Sequence, residues 1–107
     1  MSVGVTAGNC FSISIIAQSL TPTSVNTITT SEQTFTVPGL KLGDAVNVNP
    51  PGVTTGVVLT GARVSAANTL ALQFVNPTVG SVTPLAGVHT ITVFRYDGTA
   101  AAQRVLV

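Results

Sequence analysis

Residues 57–75 read VVLTGARVSAANTLALQFV. In the second half, Leu70, Leu72 and Phe74 alternate with Ala71, Gln73 and Val75. That period of two is the signature of a strand with one face turned to a core. Ala66-Ala67-Asn68 is short enough to be a tight connection, so 57–65 and 69–75 form two neighbouring strands. Val and Thr dominate this stretch and the whole chain. Both are branched at Cβ, stiff at the first side-chain torsion, and suited to a pleated surface. Helix formers are scarce, with one Glu, one Lys and one Met in 107 residues. No window carries an apolar period of 3.6, and an all-β fold follows.

The same pattern extends in both directions. Strands are expected at 10–18, 24–30, 33–37, 45–49, 57–65, 69–75, 88–96 and 104–107. Pro38-Gly39 supplies a turn, with Pro where a fixed φ helps and Gly where φ is positive. Pro50-Pro51-Gly52 ends the fourth strand, because Pro cannot donate to a ladder. A loop with Gly80 and Pro84 runs from Asn76-Pro77 to Leu85-Ala86. Asp97-Gly98 is a type I′ hairpin dipeptide that returns the last run beside 88–96. In 88–96, Ile91 and Val93 face one way and Thr90, Thr92 and Phe94 the other. Phe35, Phe74 and Phe94 are expected in the core. The expected architecture is a single β-sandwich or jelly-roll-like domain at 10–107, with about eight short antiparallel strands. An extended N-terminal arm at 1–9 precedes it.

Charge narrows the function. Four Lys/Arg and three Asp/Glu make 7% of the chain, against about 25% in an average soluble domain. There is no basic patch to neutralise phosphates and no polybasic run for a membrane surface, so neither nucleic acid nor membrane is an expected partner. The uncharged stretch at 1–31 has no positive n-region, and Ser12, Ser14 and Gln18 interrupt its apolar block. It matches neither a signal peptide nor a spanning helix. A soluble, unprocessed intracellular product is expected. A surface this poor in charge must be Thr, Ser, Asn, Gln and Gly, or be covered by other chains.

Chemistry has little to work with. Cys10 is alone, so no intrachain disulfide forms, and one Cys with one His cannot build a zinc site; Cys10 reads as a small buried apolar residue. His89 is the one candidate general base, but no G-x-S-x-G elbow or other nucleophile motif accompanies it, and a structural or interface role is expected. Asp44, after Gly43, reads as a turn residue capping backbone N–H groups. Glu32, Asp44 and Asp97 are expected in separate loops, too few for calcium. Arg63 and Arg95 lie within strands, either paired with a carboxylate at a subunit interface or facing solvent. Lys41 reads as a solvated turn residue. The glycines at 39, 43, 52 and 56 open no helix, which excludes a phosphate loop. No enzyme activity, cofactor or metal is expected.

One succession of motifs carries a family likeness. Val37-Pro38-Gly39-Leu40-Lys41-Leu42-Gly43-Asp44-Ala45-Val46-Asn47-Val48 leads into Asn49-Pro50-Pro51. Val64-Ser65-Ala66-Ala67-Asn68-Thr69-Leu70 and Phe74-Val75-Asn76-Pro77-Thr78 follow, then Val82-Thr83-Pro84-Leu85-Ala86-Gly87-Val88-His89-Thr90-Ile91. This order, over residues 33–96, resembles small β-sandwich structural proteins of tailed bacteriophages, found in capsid decoration (cement) and head-fibre or tail-associated parts. The resemblance implies a non-enzymatic virion protein, made in the host cytoplasm, that binds the outside of a capsid. It implies two partners: the major capsid protein and further copies of itself, as a homotrimer. The long uncharged N-terminal segment would reach a neighbouring subunit or the shell and add a strand there. The candidate interface residues are Val3, Val5, Phe11, Ile13, Arg63, His89, Arg95 and Tyr96. The rival reading is a glycan-binding or adhesive β-sandwich module for attachment to a host cell surface.

Overall fold

A computed structural model describes residues 10–96, with side chains from 12 to 95. Six strands and no helix make up this part: β1 (Cys10–Leu20), β2 (Thr29–Thr36), β3 (Ala45–Asn49), β4 (Val58–Ala66), β5 (Thr69–Asn76) and β6 (Gly87–Tyr96). They form two antiparallel sheets of three strands, β1-β6-β3 and β2-β5-β4, an arrangement compatible with a small β-sandwich. The β4–β5 hairpin quoted first is present, and Asn68 turns it with φ 57°. Asn is among the few residues that tolerate this left-handed conformation.

The count of six corrects the expected eight. The run at 104–107 and the Asp97-Gly98 turn lie outside the described residues, as do the arm at 1–9 and the side chain of Cys10. The run at 24–30 is an outright difference. Only Thr29 and Thr30 belong to a strand, and Val25 makes an isolated bridge to Val82. The remainder is a loop held down by Asn76. This side chain is wholly buried, and all of its hydrogen-bonding capacity is used. Its Nδ2 donates to the carbonyls of Val25 and Gly80, while its Oδ1 accepts from the Thr78 backbone N–H and hydroxyl. Ile28, in the same loop, sits at φ 47°, a costly conformation for a β-branched side chain.

Each sheet turns one face inward. Leu70, Leu72 and Phe74 of β5 meet Ile91 and Val93 of β6, with Val48 of β3 and Val64 of β4 beside them. β5 and β6 are the central strands of their sheets, and for that reason they supply the most deeply buried of the strand side chains. Phe74 is in the core and Phe35 packs against it. Phe94 is not: it is 40% exposed. Its parity on β6 matches Thr90 and Thr92, and alternation overrides the usual preference of a large aromatic for the interior.

At one end a polar network ties the elements together. The Asn68 backbone N–H donates to Leu40 O, its carbonyl accepts from Val37 N–H, and its Oδ1 accepts from Gly39 N–H. Gly39 has φ 99°, as expected for the Pro38-Gly39 turn. The β4–β5 turn is thereby fastened to the β2–β3 loop. Asp44 lies in the same loop and accepts the Lys41 N–H, as a turn cap does.

Candidate functional site

The outer faces of the two sheets differ in kind. On β1-β6-β3, strand alternation and register place Ile13, Ile15, Ala17 and Ser19 beside Phe94, Thr92, Thr90 and Val88. Ala45, Asn47 and Asn49 complete the face on the far side of β6. No charged residue stands among these positions. Ile13, Ile15, Val88 and Phe94 are all exposed, Ile15 at 71%. The outer face of β2-β5-β4 is polar. Glu32 and Arg63 come from its two outer strands and join across β5 in a two-pronged ion pair of 2.9 and 3.0 Å. Ala71, between Thr34 and Arg63 in the register, is buried on this face.

The four sheet edges also differ. β3 is only five residues long and stops at Pro50-Pro51. β4 is broken by two register shifts. β2 is overlaid by the chain at Thr23, whose N–H and carbonyl are both bonded by the Gln33 amide. β1 is eleven residues long and contains no charge, Pro or Gly. Its single irregularity lies between Cys10 and Ser12. Among the described residues, β6 is its only strand partner. Charges, prolines, bulges and covering segments are the usual guards of an edge, and from residue 13 onward β1 shows none of them among the described residues.

Both strand arginines, expected either to pair with a carboxylate at a subunit interface or to face solvent, find carboxylates within the chain. Arg95 Nε and Nη2 grip Asp44 at 2.9 and 2.7 Å, and Nη2 also donates to Gly39 O. The Asp44 side chain is only 3% exposed. The Arg95 hydrogen bonds hold its carboxyl below the ordinary value, helped by the Lys41 N–H and opposed by burial. Arg63 lowers the Glu32 carboxyl in the same way from a more exposed position.

His89 is 1% exposed and, with Ile91 and Val93, points between the sheets. Its Nδ1 lies 2.9 Å from Gly87 O. A carbonyl only accepts, so Nδ1 carries a proton, and in that tautomer of the ring Nε2 is an acceptor. The ring lines an open pocket of about 240 Å³ with Val48, Val57, Leu59, Phe74 and Leu85. Sequence reasoning named His89 but missed this pocket, whose walls come from three separate stretches of chain.

Of the expected interface residues, Ile13 lies on the uncharged face, while Arg63 and Arg95 are in internal ion pairs and His89 is internal. Val3 and Val5 lie outside the described residues, as do the side chains of Phe11 and Tyr96. Among the described side chains, Ile13 is the member of that set on the uncharged face, where Ile15, Val88 and Phe94 accompany it. Alternation along 88–96 was the signal for the last two. Among the described residues no three His, Cys, Asp or Glu side chains converge on a metal position. No described helix is long and apolar enough to cross a membrane. Comparison with family models, with curated proteins and with solved structures gives no match.

Proposed function

We propose that this chain is a non-enzymatic virion structural protein of a tailed bacteriophage. It decorates the outside of the capsid and braces it by bridging coat subunits, as a homotrimer. The observation that supports this reading best is the uncharged outer face of β1-β6-β3, with Ile13, Ile15, Val88 and Phe94 in the open. Exposed apolar surface gathered on one face marks an interaction site. Stable homo-oligomeric interfaces are the more apolar kind. Many such modest contacts repeated over a lattice add up to firm attachment. The arm at 1–9 belongs to the same proposal, as a strand donated to a neighbour.

Copy number in purified particles, by quantitative mass spectrometry, is the test. Hundreds of copies per particle are expected. A dozen or fewer would replace decoration with a fibre or tail part, the setting in which an attachment role to a cell surface fits. Particles lacking the protein are expected to release their genome at lower temperature, and unchanged release contradicts the bracing role.

A further inference from the structure

We infer that the pocket over His89 receives an aromatic side chain bearing one hydrogen-bond donor, Trp or Tyr, from a partner polypeptide. Three observations carry this. The first is the unpartnered nitrogen. His89 is 99% enclosed, and Gly87 O is its one hydrogen-bond partner, at Nδ1. No enclosed side-chain nitrogen or oxygen lacks a partner among the described residues. Nε2 therefore keeps contact with accessible space, and the space His89 borders is the pocket.

The second is size and lining. About 240 Å³ is below the roughly 300–1,000 Å³ of pockets for drug-sized ligands, but it suits one aromatic ring system. The walls are apolar, with His89 and Thr54 as polar members. An occupant must therefore be mostly apolar, uncharged, and able to donate one hydrogen bond to Nε2. Buried Trp and Tyr have this character, and they are the residues that most often anchor interfaces by filling such pockets.

The third is the rim. Val53, beside the pocket, is 92% exposed, and Val58 and Leu85 are exposed as well. A free small molecule would leave these side chains in water. A polypeptide whose anchor is flanked by apolar residues would cover them. The inference stands apart from the virion reading, because it needs only a polypeptide with such an anchor.

The test is an NMR titration of the full chain with four probes: the capped tripeptides Leu-Trp-Leu and Leu-Phe-Leu, indole, and 1-methylindole. Saturable shifts at His89, Val57 and Phe74 are expected with the Trp peptide and with indole. Losing the donor, as in 1-methylindole or the Phe peptide, should weaken binding about tenfold, one hydrogen bond's worth. Val53→Lys, at a position too exposed to disturb folding, should weaken the Trp peptide and leave indole unchanged. Absence of saturable shifts overturns the inference. Equal binding of indole and 1-methylindole removes the role of Nε2 and overturns it too. Val53→Lys without effect on the peptide would make this a small-molecule pocket and overturn the polypeptide assignment.

Discussion

Asp44 shows how few charges this fold needs when each is placed well. Its carboxylate takes two bonds from Arg95 and one from the Lys41 N–H in near-complete burial. Asp44→Asn should cost about 2 kcal/mol at neutral pH, because it breaks a charge-assisted pair and sets an amide N–H₂ against donors. The pH dependence has a definite sign. The folded state holds the carboxyl below its ordinary value of 3.8, so between the two values the unfolded chain binds more protons. The stabilisation is complete above 3.8 and disappears as pH falls through the lowered folded value. Urea midpoints between pH 7 and pH 2 should show an acid slope that is shallower in Asp44→Asn, and an unaltered slope would assign it to another group. Asn76 admits a sharper substitution. Asn76→Asp keeps the shape but aims an acceptor at the carbonyls of Val25 and Gly80. A loss of about 3 kcal/mol in urea unfolding is expected at pH 7. A loss under about 1 kcal/mol would mean the loop is held by other contacts.

At the scale of elements, the loop between β1 and β2 carries strain that can be released. Ile28 has positive φ and is 69% exposed, so it pays for its conformation with little burial in return. Ile28→Asn should raise stability by about 0.5–1 kcal/mol, seen as a higher thermal midpoint. A lower midpoint would show that Ile28 contributes packing greater than the strain. This loop is also where sequence reading failed. Val25, Thr27 and Thr29 alternating with Asn26 and Ile28 look like a strand, but Asn76, fifty-one residues from Val25, draws the segment onto another loop. A local pattern carries no trace of such a partner. Where burial follows parity alone, the sequence was legible: 45–49 matches β3 to the residue, and 69–75 falls one short of β5. The candidate site was legible in part. That the arginines seek carboxylates follows from residue type, whereas Glu32 and Asp44 as their partners depend on which strands lie side by side. The pocket over His89 was illegible for the same reason.

For the whole molecule, the low charge count acquires a location. The few ionised groups on the described surface sit on the β2-β5-β4 face or at the end where Arg95 meets Asp44, and the β1-β6-β3 face has none. Contacts made through that face should be insensitive to screening, since no charge crosses them. Light scattering at micromolar concentration is expected to report an assembly that persists as salt is raised. Ile15→Lys places a charge at a position 71% exposed, where the fold itself should change by less than about 0.5 kcal/mol. It should shift the protein to monomer. An assembly that survives Ile15→Lys unchanged would move the interface elsewhere.

The pairing of β1 with β6 also sets a schedule. β1 begins at Cys10 and its partner ends at Tyr96, so among the described strands the first to leave the ribosome pairs with the last. At common rates of synthesis, the interval between them is roughly 4–15 s. Throughout it an uncharged eleven-residue strand lacks β6, its one strand partner among the described residues, and long-range β pairing is slow even once that strand is made. Neighbouring nascent chains on one message would present the same strand at the same moment. Of the described strands, the one with the fewest edge guards is thus the one that waits longest during its making, and yield in a cell should depend on how quickly β6 arrives.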